Sequence, residues 1–254
     1  MTISIPSGLA PQLDLERAWR RVWKDRSTDF VNPPIIYSAV NANRTALLDQ
    51  LTGELESGEY RPAPARIIDV PKPNHTLRPG AILNVKDRVL YQALVDVIAE
   101  TTIPRILGPP DVFGFQTNPD NDSAEFLLHG GFSEFRRRLS EEYDAGNRHV
   151  LESDIAAYFE SVQTRFMLEA LLGLDIDPRI AEVLIRLLGS WNSLTPIGLP
   201  QGVWPSDYLG GRIYLDRVDK GMLQKEHRFF RYSDDMRIAA SRRLDVRRGL
   251  RDLV

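Results

Sequence analysis

The sequence predicts an α+β fold in which helices pack around a small antiparallel sheet. Apolar residues recur at helical spacing in many segments, and short β-rich segments lie between them. The last two β-rich segments, Arg228 to Tyr232 and Met236 to Ala240, are joined by a Ser-Asp-Asp turn, which predicts a hairpin. A chain of 254 residues, 43% of them hydrophobic, is long enough to bury a sizeable core.

The N-terminal third is predicted to contain helices and one strand. Apolar residues from Leu13 to Trp23 have helical spacing, and Asn43 is expected to cap a second helix that ends before Gly58. Ala65 to Val70 is predicted to be a strand because it is β-rich and Pro71 follows it.

The remaining elements follow from apolar periodicity and from proline and glycine positions. They are expected in this order: a loop from Pro71 to Pro79, a helix starting at Asp87, a loop from Pro104 to Pro110, a helix from Ser123 to about Tyr143, a strand from His149 to Asp154, helices around Arg165 to Leu172 and Pro178 to Leu188, a loop from Thr195 to Pro205, a helix from Ser206 to Gln224, and a last helix from Leu244 to Val254.

Composition excludes several classes of protein. Without cysteine, the chain has no disulfide, no Cys-ligated metal centre and no thiol catalysis, which fits a reducing cytoplasm. No apolar run reaches the ~20 residues of a membrane span, and the N-terminus does not look like a signal peptide. A net charge of −3 is unusual for a nucleic-acid-binding protein, although acids at the centre of a site can offset basic residues along a groove.

Three acidic residues attract attention. Asp234 and Asp235 occupy the predicted hairpin tip, where Asp is also a common turn residue. Asp154 ends a predicted buried strand, and a carboxylate there is costly unless it is paired or binds metal. Its alternative role is a helix N-cap for the segment that follows.

Two paired strands that each end in a carboxylate can bring these acids side by side. Like charges then repel, and a divalent cation relieves the repulsion, with oxygen ligands favouring Mg²⁺. Two such ions about 4 Å apart are the usual device for in-line phosphoryl transfer. Acids from distant parts of this sequence are therefore candidates for a nucleotidyl-transfer site.

Three ordered motifs resemble those of a known family. Asp-Ile-Ala-Ala-Tyr-Phe at 154–159, Gly-Leu-Pro-Gln-Gly at 198–202 and Tyr-Ser-Asp-Asp at 232–235 resemble the palm motifs of reverse transcriptases. Residues 70–79 and 87–94 resemble the fingers of the bacterial enzymes, and Phe-Gly-Phe at 113–115 resembles the segment before the first palm motif.

The resemblance implies a right-hand polymerase with fingers and palm. Residues 1–60 would form a helical N-terminal extension, 61–148 the fingers, and 149–254 the palm, with 160–197 interleaved toward the fingers. No thumb is evident, because the family's primer-gripping hairpin and helical thumb would follow residue 254. The chain is therefore expected to be a fragment, or another chain supplies the clamp on the duplex.

The resemblance also implies a metal site. Asp154 and Asp234 would be the principal ligands, helped by the carbonyl of Ile155, and Asp235 would be the third catalytic acid. Two Mg²⁺ ions would be bound, and Mn²⁺ can substitute for them. Tyr232 is expected to pack beneath the turn.

Five further residues would bind the nucleotide by the same resemblance. Phe159 falls where the family has a steric gate against a ribose 2′-OH, although a core aromatic is the alternative role. Gln201 and Gly202 would contact the incoming nucleotide and the template base, or form a simple turn. Lys72 and Arg78 would hold the triphosphate, or be ordinary surface charges.

The implied activity is RNA-directed DNA synthesis from a primer 3′-OH. Its partners would be an RNA template, a DNA or RNA primer and deoxynucleotides, with a noncoding RNA or a partner protein as further candidates and no membrane. The motifs most resemble defence-associated bacterial enzymes of the abortive-infection and unclassified groups, with group II intron and retron enzymes as close alternatives. An RNA polymerase, disfavoured by Phe159, and a catalytically silent scaffold, disfavoured by the intact acids, are the remaining hypotheses.

Overall fold

The computed structural model describes residues 6, 8–30, 34–72, 75–128, 130–192 and 198–253. Within these residues the helices and strands, in chain order, are α1 (Leu15–Asp25), α2 (Pro34–Ala42), α3 (Arg44–Glu56), β1 (Arg66–Pro71), β2 (Leu77–Ile82), α4 (Val85–Thr102), α5 (Phe132–Asp144), β3 (His149–Ser153), α6 (Tyr158–Ser161), α7 (Thr164–Gly173), α8 (Pro178–Trp191), α9 (Trp204–Tyr208), α10 (Asp216–Gln224), β4 (Arg228–Tyr232), β5 (Asp235–Ala240) and α11 (Arg243–Leu253). This mixture of helices with small antiparallel sheets agrees with the predicted class. Among the described helices, none is both long and apolar enough to cross a membrane.

Helix α4 lies at the centre and is buried on almost every side, against α1, α8 and α9. It begins two residues before the predicted start, because the Asn84 side chain accepts from the Lys86 N–H at 3.0 Å and caps the helix. Asp87 instead points inward and accepts from the Tyr60 hydroxyl and, at 3.0 Å, from the Ala63 N–H. Burial raises the pKa of Asp87 to about 6.

Buried ion pairs join the N-terminal helix to α4. Arg21 contacts Asp96 at 2.6 Å, and Arg88 contacts both Asp25 at 2.7 Å and Asp29 at 2.6 Å. These guanidinium groups are only 4% exposed, so each must be neutralised within the protein. The pairing fixes the segment that follows α1 against the central helix.

In the part of the chain that the structure describes, two antiparallel sheets complete the fold: the hairpin β1–β2 and a three-stranded sheet in the order β3-β5-β4. Side chains alternate across the larger sheet. Phe229 and Ile238 belong to the main core on the side of α11. Phe230 and Ala239 face a smaller cluster with Phe135 of α5. Both faces of the sheet are therefore covered by helices.

The prediction of a loop from Pro71 to Pro79 is wrong for its second half. Leu77 begins β2, and Pro79 pairs with Asp69 inside the hairpin. Proline lacks an N–H donor, but each strand of a two-stranded sheet has an open edge, so no ladder bond is lost there. Pro73 and Asn74 lie outside the described residues.

The helix expected from Ser123 begins only at Phe132. Residues 118–126 instead form a tight turn, in which the Ser123 hydroxyl accepts from the Glu125 N–H at 3.1 Å and the Asn118 N–H donates to the Phe126 carbonyl at 2.9 Å. Serine side chains that bond nearby backbone groups compete with a helix, and periodicity alone did not reveal this.

Three smaller expectations also change. Asn43 precedes α3, but its side chain donates to the Ala39 carbonyl of α2, a helix that was not predicted, and provides no cap. The helix expected from Ser206 to Gln224 starts at Trp204 and contains a π-helical turn at Leu209–Tyr214. Residues 195–197 of the expected loop and Val254 of the last helix lie outside the described residues.

Removing Arg88 should destabilise the fold strongly. Arg88→Ala leaves Asp25 and Asp29 buried without a counter-charge, which we expect to lower the free energy of unfolding by about 3–5 kcal/mol. Urea denaturation measures the loss. Arg44→Ala breaks the half-exposed pair with Glu16 and should cost less than about 1 kcal/mol. Equal effects of the two substitutions would contradict this account.

Candidate active site

The pairing of β3 with β5 brings Asp154 to the hairpin tip. Ser153 pairs with Met236, so Asp154 leaves the sheet beside the turn that carries Asp234 and Asp235. Asp154 and Asp234 line the same cleft, close enough for their charges to interact. Partial burial, followed by the charges of Asp234 and Asp235, raises the pKa of Asp154 above its usual range.

Asp154 does not act as a helix cap. The next helix, α6, begins at Tyr158, and its N-cap position is Ala157, which has a left-handed backbone. The strand therefore ends in a carboxylate whose neighbours are other carboxylates.

A buried guanidinium supports the hairpin tip from below. Arg231 has no exposed surface and forms a two-bond pair with Asp219, with 2.7 Å between Nε and Oδ1. Its Nη1 also donates to the Ser233 carbonyl at 2.6 Å. Ser233 has a φ of +56°, so this bond holds an otherwise unfavourable turn directly before Asp234. A Cβ at Gly114 would lie 2.7 Å from the Ser233 nitrogen, so this approach requires glycine.

Asp235 is held by a cation of its own strand. Its carboxylate is paired with Arg237, with 3.2 Å between Nη2 and Oδ2, and Arg237 also contacts Glu152 at 3.4 Å. Within the described ranges, no three acidic or histidine side chains already surround one point as ligands would. Asp154 and Asp234 could bind a metal cation directly. Asp235 would first have to break its ion pair with Arg237.

All the site residues predicted from the sequence line one cleft of about 540 Å³. Acids from the sheet and cations from the segment around β1 and β2 face the same space. The predicted residues that line it are Lys72, Arg78, Asp154, Ile155, Phe159, Gln201, Gly202, Asp234 and Asp235.

Phe159 is held at the wall of this cleft. Its side chain is 9% exposed, and its ring meets Tyr158 edge-on with 5.4 Å between centroids. The Leu199 N–H donates to the Phe159 carbonyl at 2.9 Å, which ties the 198–202 loop to α6. The ring is thus a packed aromatic whose remaining exposed surface faces the cleft.

Several residues that line the cleft were not predicted from the sequence. Phe30 comes from the N-terminal segment, where no local pattern marks it, and Phe115 lies 6.4 Å from the Tyr232 ring. Asp207 follows the glycine loop, and burial, with a smaller effect of Asp25, raises its pKa well above the usual range. The sequence signal for Asp207 is an acid among the apolar residues at the start of a helix.

The donor set fits a divalent cation that prefers oxygen. Asp154 and Asp234 supply only carboxylate oxygens, and their mutual repulsion is what such an ion would relieve. Paired acids at the end of a sheet, with cationic side chains lining the same open cleft, are typical of enzymes that transfer nucleotidyl groups with metal ions.

Comparison with known proteins agrees with this class. The family described as reverse transcriptase (RNA-dependent DNA polymerase) matches residues 70–254, and the chain belongs to that family, whose members generally use divalent metal ions. It is 28% identical to Protein YkfC of Escherichia coli over 180 residues, covering 68% of this chain and 44% of YkfC. It is 22% identical to the COX1/OXI3 intron 1 protein of Saccharomyces cerevisiae over 198 residues, covering 71% of this chain and 22% of that protein. The chain thus spans less than half the length of these relatives.

Replacing Asp234 by Asn should remove the repulsion at the tip. Folding raises the pKa of Asp154, and the charge of Asp234 is one of the causes. The repulsion between the two carboxylates therefore destabilises the folded protein as the pH rises through the pKa of Asp154. The repulsion is absent at low pH, where the carboxyl groups are protonated. We expect Asp234→Asn, kept in EDTA, to melt above the wild type near neutral pH, and the difference to vanish near about pH 3.

Thermal melting at several pH values measures this difference. Asp49→Asn, which changes an exposed acid on α3, is the matched control and should show no such trend. A difference between wild type and Asp234→Asn that stays constant with pH would refute the repulsion.

Proposed function

We propose that this chain is the catalytic part of an RNA-directed DNA polymerase, which adds deoxynucleotides to a primer 3′-OH on an RNA template. The observation that carries the proposal is that Asp154 and Asp234 line one cleft together with Lys72 and Arg78. In this proposal residues 61–148 are the fingers and 149–254 the palm, with 160–197 interleaved toward the fingers and 1–60 forming an N-terminal extension.

The proposed chemistry assigns each group a role. The carboxylates of Asp154 and Asp234, the Ile155 carbonyl and Asp235 would hold two Mg²⁺ ions, for which Mn²⁺ can substitute. When bound, such ions activate the attacking oxygen and stabilise the leaving one. The primer 3′-oxygen then forms a bond to the α-phosphorus, the bond to pyrophosphate breaks, and the hydroxyl proton passes to solvent.

The remaining residues of the cleft would bind and select the nucleotide. Lys72 and Arg78 neutralise the triphosphate, including the charge that develops on the leaving pyrophosphate. The Gln201–Gly202 loop contacts the nucleotide and the template base. The ring of Phe159 leaves no room for a ribose 2′-OH, which favours deoxynucleotides.

The biological setting has two candidates. Resemblance of the motifs at 200–210 and 232–238 favours a defence-associated enzyme. The yeast relative is named as an intron protein, and this favours the group II intron-type alternative instead. A noncoding RNA or a partner protein would suit either setting.

A primer-extension assay tests the activity. Wild-type protein with Mg²⁺, deoxynucleotides and a primed RNA template should extend the primer. Asp234→Asn should be slower by roughly a thousandfold or more, since metal ions supply several kcal/mol of transition-state stabilisation. The control Asp49→Asn should match the wild type. Equal activity of Asp234→Asn and wild type would reject the proposal.

Crystals soaked with Mn²⁺ and a deoxynucleoside triphosphate test the metal site separately. Anomalous density is expected between the Asp154 and Asp234 carboxylates. A cleft that binds neither ion nor nucleotide, with both present at high concentration, would favour the silent scaffold.

Enlarging the cleft at Phe159 should relax sugar selectivity. Phe159→Ala removes the ring, so the ratio of ribonucleotide to deoxynucleotide incorporation should rise by at least about tenfold. A tenfold change corresponds to a loss of about 1.4 kcal/mol of discrimination between the two sugars. Competition between dATP and ATP in single-nucleotide extension measures this ratio. An unchanged ratio would leave Phe159 as a core aromatic only.

A further inference from the structure

The aromatic ring of Phe30 lies between two elements of the cleft. It belongs to the N-terminal segment just after α1, yet it lines the cleft together with Arg78 and Gly202. An added Cβ would lie 2.6 Å from the ring at Gly80 of β2, and 2.8 Å from it at Gly202 of the loop after α8. Both glycines therefore let their backbones approach this one ring closely.

Phe30 also orients a cation. The guanidinium carbon of Arg78 is 4.9 Å from the centre of the Phe30 ring, a distance at which a cation is attracted to an aromatic face. Among the residues that the structure describes, the buried Nε of Arg78 has no hydrogen-bond partner. The ring therefore limits where the guanidinium of Arg78 can lie at the edge of the cleft.

The segment that carries Phe30 is itself fixed. Asp25 accepts from the Trp204 N–H at 3.1 Å, so it holds the first turn of α9, directly after the Gly202 loop. Arg88 pairs with Asp25 and with Asp29, which directly precedes Phe30. The N-terminal segment thus holds the loop at two points, through Asp25 and through Phe30.

We propose that Phe30 is a positioning residue for the incoming nucleotide, which sets the Arg78 guanidinium and the Gly202 loop for the triphosphate and base of a deoxynucleotide. The inference rests on the proposed function, because it takes Arg78 to contact the triphosphate. It adds that the N-terminal segment, which precedes the residues matched by the family, completes the nucleotide site.

Nucleotide binding without chemistry provides the test. Binding of a fluorescent dATP analogue in excess Mg²⁺, followed by anisotropy, should weaken by about three- to tenfold in Phe30→Leu, which lacks the ring face. Phe30→Tyr keeps the ring and should bind as the wild type does. Phe30→Met repeats the loss of the ring with an unbranched side chain, and melting temperatures show that each variant is folded.

The control is an aromatic–arginine pair away from the cleft. Phe166 has Arg165 at 4.3 Å from its ring centre and is 40% exposed. Phe166→Leu should leave binding of the dATP analogue unchanged, which separates loss of the Phe30 ring from loss of any surface ring.

A double substitution shows whether Phe30 acts through Arg78. Arg78→Ala should weaken binding, and adding Phe30→Leu in that background should weaken it less than in the wild-type background, because only the effect through the Gly202 loop is left. If Arg78→Ala weakens binding and Phe30→Leu does not, the inference fails while the nucleotide site stands. If the two losses multiply in the double variant, Phe30 does not act through Arg78, and the inference fails too. If neither wild type nor Arg78→Ala binds the analogue, the proposed nucleotide site is itself wrong.

Discussion

The antiparallel pairing of β3 with β5 determines where charge collects in this molecule. Because Ser153 pairs with Met236, the end of β3 and the tip of the β4–β5 hairpin share one edge of the sheet, and their carboxylates become neighbours. A shift of one residue in this register would turn every side chain of β3 to the opposite face. Helices on both faces of the sheet make that shift costly, so burial of the sheet also holds the acids together.

Buried ion pairs have a different role from the exposed acids. The pairs of Arg88 with Asp25 and of Arg231 with Asp219 lie inside the protein, where their charges are balanced. Such pairs add little net stability compared with apolar packing, but they have strict geometric requirements. Here one connects the N-terminal segment to the central helix, and the other connects α10 to the strand before the tip. Both therefore act mainly by fixing the backbone around the cleft.

The sequence predicted what local patterns encode. Strand ends at Asp154 and at the Ser-Asp-Asp turn follow from alternation and turn chemistry, and the motifs of the family named the residues that line the cleft. It did not predict features that depend on distant partners. Pro79 lies in a strand because it pairs with Asp69 of β1. Phe30 reaches the cleft because the ion pair of Asp25 with Arg88 fixes the chain before it. The turn at Ser123 was missed because its hydroxyl bonds to the backbone, which apolar periodicity does not register.

The neutral pair beneath the tip has an electrostatic consequence. A lone arginine so near Asp234 would lend positive potential to the cleft and weaken its attraction for cations. Asp219 cancels that charge at its source, so the guanidinium of Arg231 contributes rigidity to the turn without opposing the field of the acids. The turn is thus held without an unbalanced charge on Arg231, and Arg237, beside Asp235, is a cation with which an incoming metal ion has to compete.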